Sequence, residues 1–203
     1  MHELINKYSN FLIDLDNTIY LETDYLFEAY KQIALFIESR TGLNYFIYEE
    51  FLINEFNSNN RTDIFNKTIR KFSLDKDFLT YFLQILRTLK LERKLEMFPE
   101  TFHFIQLLQV NNKSIYVVTN GNVNQQKNKV DQINWKGLKS KIQFVYANEY
   151  EPKPSKKSFL KIFKNHTFYN EYLMIGDSSV DQDYAKNCEI DFFHVDNLKI
   201  ISL

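Results

Sequence analysis

Apolar residues follow two kinds of pattern along this chain. Residues 11–14, FLID, form a short apolar run closed by an acid. From there to about residue 92 the apolar positions recur at three- and four-residue steps, the spacing of a helix face. Leu26, Tyr30, Ile33, Ala34 and Ile37 make one such stripe over residues 24–40, and Gly42 is placed to end it. Phe51, Leu52 and Phe56 predict a second helix, Ile64, Phe65, Thr68, Ile69 and Phe72 a third, and Phe78, Leu79, Phe82, Leu83, Leu86 and Leu89 a fourth. Short polar loops such as NSNN join them, so residues 23–94 predict a small α-helical bundle. It is either a lid over a site or simply a set of stripes that pack on one another.

After MFPE, where Pro99 can open a helix, the pattern changes. Short β-branched or apolar runs, SIYVVT (114–119), IQFVYA (142–147), YLMIGD (172–177) and DFFHV (191–195), predict strands. Helices fit between them at about 100–110, 123–132, 156–164 and 179–188. Alternating strands and helices imply crossover connections and a mostly parallel sheet covered on both faces. FLID is most simply another strand of that sheet. The expected fold is therefore α/β, a three-layer, Rossmann-like core over residues 1–22 and 95–203, interrupted by the helical block 23–94. No internal repeat or low-complexity segment breaks this scheme.

Composition narrows the function classes. With 203 residues the chain can bury one substantial core and a smaller second one. Twenty-five Lys and Arg balance 26 Asp and Glu, and no basic run tracks a phosphate backbone, so nucleic acid is not an expected partner. The single cysteine, Cys188, excludes an intrachain disulfide, and four scattered His give no zinc-type spacing. The N-terminal MHELINKYSN lacks the apolar segment of a signal peptide, and no run reaches the roughly 20 apolar residues of a membrane span. A cytoplasmic protein without a membrane partner is expected.

The two acids in NFLIDLDNTIY raise the chemical question, because a carboxylate taken from water costs several kcal/mol, roughly, unless paired or bound to a metal. Ligands of an open parallel sheet bind beyond the carboxyl ends of its strands. Asp14 and Asp16 end the first strand, Thr119 ends SIYVVT, Asp177 follows YLMIG, and Lys153 lies shortly after IQFVYA. Each alone reads as a cap or turn residue; together they bring three acids, a hydroxyl and an amine to one edge. Asp14 and Asp16, two apart, would project to one side of an extended backbone. With Asp177 they would make an all-oxygen site suited to Mg²⁺. Lys153, Thr119 and the backbone amides of Asn120 and Gly121 in TNGN suit an anion such as phosphate. Asp181, four residues after Asp177, falls in the first turn of a helix, where the dipole favours an acid.

DLDNT, VVTNG, KPSKKSF and GDSSVD resemble, in order and in spacing from their strands, the four motifs of the haloacid dehalogenase-like (HAD) superfamily, most of whose members are phosphohydrolases. The motifs span the whole core, and the helical block between the first and second resembles the cap domain of one subclass. DxDxT, here Asp14, Asp16 and Thr18, is the most specific element. The resemblance implies that Asp14 is the nucleophile that becomes an aspartyl-phosphate, and that Asp16 is the general acid and base. It implies that Mg²⁺ is held by the Asp14 carboxylate, the Asp16 backbone carbonyl and Asp177, with Asp181 in support. It implies that Thr119 and Lys153 bind the phosphoryl oxygens. NEYEPKP lacks the glycine that members often carry before the motif lysine, and Asp183 competes with Asp181 for the last acidic position.

Among functions of this fold, a haloacid dehalogenase lacks the second acid, so Asp16 argues against it. In a receiver domain the lysine follows the last acid, which the order Lys153 then Asp177 contradicts. The implied activity is a Mg²⁺-dependent phosphatase acting on a small phosphomonoester, of the sugar phosphate or nucleotide class. A phosphomutase and a catalytically silent phosphate-binding regulatory protein remain the alternatives. Arg40, Arg61, Lys67 and Arg70 lie in the helical block, where each is either a solvated charge or a contact for an acidic substrate. The oligomeric state is not legible.

Overall fold

The computed structural model describes residues 1–58, 63–163 and 171–200. The chain divides into two compact units, one made of residues 1–22 with 94–203 and the other of residues 23–93.

In the first unit, the described residues form a five-stranded sheet in which every pairing is parallel. The strands are β1 (Asn10–Ile13), β2 (Ser114–Thr119), β3 (Ile142–Tyr146), β4 (Tyr172–Gly176) and β5 (Asp191–His194), in the order β3-β2-β1-β4-β5. β1 lies in the middle with Ile13 level with Val117 on one side and Ile175 on the other. The chain winds outward from β1 through β2 to β3 and then returns to build β4 and β5 on the other side. The direction of winding thus reverses beside β1, and the crevice at that reversal is where a parallel sheet binds ligands.

Why the strands read as unbroken apolar runs is visible in their burial. Leu12, Tyr116, Val118, Tyr172 and Met174 point into one cluster with Phe159, Tyr184 and Ala185. Their neighbours Phe11, Ile13, Val117, Leu173 and Ile175 are equally buried, so both faces of the sheet are covered, as parallel sheets require. Phe159 and Tyr184 come from α8 (Lys157–Ile162) and α9 (Ser179–Asn187). On the other face Phe11 meets Phe104 of α6 (Pro99–Val110) edge to face, with ring centres 5.7 Å apart. Between β2 and β3 lies α7 (Val123–Gln132), capped by the Asn122 side chain on the Gln125 amide. Two short helices, α1 (His2–Lys7) and α10 (Asp196–Ile200), have no counterpart in the sequence reading, because a helix of one or two turns shows no stripe.

The second unit consists, among the described residues, of α2 (Glu22–Thr41, entering from the first unit), α3 (Tyr45–Asn57), α4 (Ile64–Lys71) and α5 (Phe78–Thr88). The buried residues of α2 are Tyr25, Leu26, Ala29, Tyr30, Ile33, Ala34 and Ile37, the stripe that its spacing predicts. Aromatic rings knit the unit together: Phe27 and Tyr30 meet Phe56, Phe65 meets Phe82, and Tyr48 meets Phe72, all edge to face within 6.2 Å. Of the four cations considered in this block, Lys67 pairs with Glu55, Arg70 pairs with Asp63, and Arg40 lies over the Phe36 ring. Arg61 lies outside the described residues.

Candidate active site

The backbone delivers the site residues from the strand ends. Asp14 directly follows β1, and its amide donates to the Ile175 carbonyl of β4 at 2.9 Å, which fixes where its side chain starts. Thr119 is the last residue of β2, Asp177 follows β4, and Asp181 sits in the first turn of α9. Asp181 and Asp183 are separated by the helix: Asp181 is buried and Asp183 exposed, and it is Asp181 that lies beside Asp14 and Asp177.

Lys153 is the hub. It is 5 % exposed, and its ammonium donates to Asp14 Oδ1 at 2.5 Å, to Asp181 Oδ1 at 2.6 Å and to the Val118 carbonyl at 2.9 Å. Its backbone is held as well, since the Asn120 side chain accepts from the Lys153 amide at 2.7 Å and donates to its carbonyl at 2.9 Å. The loop without the glycine therefore still brings the lysine to the acids. Burial works against the Lys153 charge, but Asp14 and Asp181 outweigh it and hold its pKa above the usual lysine range. Burial pushes the Asp14 carboxyl up to about 7; Lys153 opposes that rise and Asp181 adds to it. Asp177 is raised by burial and by the negative charge of Asp181. Each of Asp14, Asp177 and Asp181 offers an oxygen within 4.8 Å of the other two. Three acids gathered together, two of them bonded to one ammonium, carry excess negative charge, and an all-oxygen donor set of this kind fits a hard divalent cation.

Asp16 is compensated differently from the sequence expectation. Its carboxylate does not join the three-acid cluster; Lys129 of α7 sits 2.9 Å from both of its oxygens. β1 ends at Ile13, before both acids, so the alternation of a straight strand does not govern where the two side chains go; just after them Asn17 takes a positive φ of 58°. Tyr20 donates its hydroxyl to Asp16 Oδ1, and Gln126 donates Nε2 to Oδ2 at 3.0 Å. Burial would raise the Asp16 pKa; the Lys129 charge and these hydrogen bonds prevail and hold it below the usual carboxylate range.

The anion cradle expected after Thr119 also differs in detail. The Gly121 amide donates to the Asn148 side chain at 2.8 Å rather than facing the acids. Thr119 Oγ1 donates to the Asn120 carbonyl at 3.3 Å and accepts from Gln126 Nε2 at 3.0 Å. Thr18, the third residue of DxDxT, is fully buried, its carbonyl accepting from the Thr101 hydroxyl at 2.8 Å.

A family model described as haloacid dehalogenase-like hydrolase matches residues 11–195, nearly the whole chain. The chain belongs to that family. No curated protein matches the sequence at a significant level. Among solved structures, a HAD phosphatase from Thermococcus onnurineus is 22% identical with a TM-score of 0.60, over 91% of this chain and 84% of that one. A protein named as the HAD-hydrolase YfnB from Bacillus subtilis, bound to magnesium, is 18% identical with a TM-score of 0.61, over 92% and 86%. A protein named as a β-phosphoglucomutase from Thermotoga maritima is 11% identical with a TM-score of 0.67, over 96% and 98%. At these identities the likeness is one of fold.

For a HAD hydrolase, the residues that sequence reasoning did not single out are Gln126, Lys129 and Tyr20. A signal for the first two was present. VNQQKNKVDQ has only two apolar residues, too few for a helix that packs on a sheet by hydrophobic contact, and Gln126 and Lys129 are three apart on one face.

Proposed function

We propose that this HAD hydrolase is a Mg²⁺-dependent phosphatase that cleaves a small phosphomonoester, of the sugar phosphate or nucleotide class, through an aspartyl-phosphate on Asp14. The observation that carries this reading is the buried Lys153 ammonium bonded to both Asp14 and Asp181, with Asp177 beside them, at the point where the sheet reverses its winding. A carboxylate nucleophile divides one hard displacement into two easier ones. Lys153 neutralises Asp14 and presents positive charge to the incoming phosphoryl oxygens, so that two anions can approach. Thr119, at the end of β2, adds a hydroxyl donor. Asp16, once it carries a proton, gives it to the leaving alkoxide and then takes one from the water that hydrolyses the acyl-phosphate. Asp14, the Asp16 carbonyl and Asp177 would hold Mg²⁺, with Asp181 supporting them, and the ion would supply Lewis-acid stabilisation of the phosphoryl charge. The helical unit acts as the cap that selects the leaving group.

The test is phosphate release from a panel of sugar phosphates, nucleoside monophosphates and small acid phosphates. Release with Mg²⁺ is expected from at least one compound, with loss in Asp14→Asn and after EDTA. No release by folded wild type from any compound, or release that survives either change, overturns the reading.

A further inference from the structure

The inward face of α7 is unusual for a helix beside a sheet. Its buried residues are Gln126, Asn128, Lys129 and Val130, three polar groups and one apolar. Removing a lysine and an amide from water is costly, and an apolar pair of similar volume would commonly serve stability as well or better. These groups are nonetheless nearly inaccessible, Lys129 at 2 % and Gln126 at 3 % exposure. What they touch explains their place. Lys129 grips both oxygens of Asp16 at 2.9 Å, which fixes the plane of the carboxylate as well as its position. The Gln126 amide nitrogen reaches Asp16 Oδ2 and Thr119 Oγ1, each at 3.0 Å, and the Asn120 carbonyl at 2.5 Å. All its neighbours there are acceptors, so the nitrogen rather than the oxygen must face them. Among the described residues the buried Gln126 oxygen has no hydrogen-bond partner, the cost of that orientation.

We infer that Gln126 and Lys129 are positioning residues, which clamp the Asp16 carboxylate in one orientation and tie it to the end of β2 that carries Thr119. The inference rests on the phosphatase reading and deepens it. A proton donor must lie within hydrogen-bond reach of the leaving oxygen, while the phosphoryl group is held by other residues. Gln126 bridges the two, so the distance between the proton-transfer group and the phosphoryl-binding hydroxyl is set by one rigid amide instead of by two independent loops. Lys129 and Gln126 touch Asp16 from α7 and act on the reaction through it. Their loss should therefore change turnover more than substrate binding.

The experiment measures kcat and KM for p-nitrophenyl phosphate with Mg²⁺ in Lys129→Met, Gln126→Leu and Lys129→Arg, each in the wild-type and the Asp16→Asn background, with thermal melts to establish folding. Because a displacement of about 1 Å at a reacting group costs roughly 10²-fold, kcat should fall by about that factor in Lys129→Met. A smaller fall is expected in Gln126→Leu, with KM within about twofold in both and partial recovery in Lys129→Arg. In the Asp16→Asn background the same substitutions should add no further loss, an epistasis that a merely structural lysine would not produce. Should Lys129→Met fail to fold, Gln126→Leu carries the same comparison. Unchanged kcat, or an equal further loss without Asp16, overturns the inference and leaves the phosphatase reading intact. Absence of phosphate release by folded wild type from p-nitrophenyl phosphate and from every compound of the panel above overturns both.

Discussion

Gly176, the last residue of β4, faces the Asp181 carboxyl so closely that a Cβ there would lie 2.5 Å from its oxygen and carbon. The carboxyl has no room to retreat, because Lys153 holds one oxygen at 2.6 Å and the Ser178 hydroxyl the other, also at 2.6 Å. Gly176→Ala is thus expected to move Asp181 off Lys153 and to cost about 1–3 kcal/mol, the usual price of overpacking. A melting temperature lowered by several degrees, together with weaker Mg²⁺ binding by calorimetry, is the expected outcome; unchanged Mg²⁺ affinity would mean that Asp181 does not support the metal. At this scale the sequence was informative where a residue's place depends on its own element. Asp14, Thr119 and Asp177 stand at the ends of visible apolar runs, and the structure puts all three there. The pairing of Asp16 with Lys129 was not legible, since the two are 113 positions apart; the scarcity of apolar residues in α7 marks its inward face as polar but not what that face touches.

Among the elements, α9 has the most demanding start. Ser178 accepts from the Asp181 amide at 3.3 Å while the Asp181 carboxylate accepts from the Ser178 amide, also at 3.3 Å, forming a capping box. The carboxylate that closes this box also binds Lys153, so the helix cap and the site share one side chain. Ser178→Ala should cost about 1 kcal/mol for the lost cap, or roughly 2–4 °C for a chain of this size. If the sharing matters, activity falls by more than Thr at the same position would cause, because Thr keeps the hydroxyl; equal losses in Ser178→Ala and Ser178→Thr would separate the cap from the site. The sequence reading placed the strands and α7 within a residue or so, because a parallel strand buried on both faces gives a continuous apolar run and α7 fills an interval between two such runs. It passed over α1, of whose six residues only Ile5 is buried. β1 ends at Ile13, so the two-residue alternation that the sequence reading carries on to Asp16 has no strand there to rest on.

For the molecule as a whole, the telling contacts are those where the chain leaves the α/β unit and returns to it. Tyr20 and Met97 form an antiparallel bridge, and the Phe98 amide donates to the Ile19 carbonyl at 2.8 Å. Leu95 then pairs with Ile133, just after α7. The exit and the re-entry are therefore held together by the α/β unit itself. Asp14, Asp16, Thr119, Gln126, Lys129, Lys153, Asp177 and Asp181 all belong to that unit. Replacing residues 23–93 with a short Gly/Ser linker closes a small loop between points already adjacent, and loop-closure entropy rises only slowly with length. The shortened chain is expected to keep its far-UV circular dichroism for the α/β unit, to melt in one cooperative transition and to bind Mg²⁺. Discrimination among phosphate esters should fall, because the selecting surface is assigned to the part removed. A shortened chain that is molten would show instead that the sheet depends on the helical unit for its stability. One that folds and keeps its full selectivity would move the leaving-group contacts into the α/β unit.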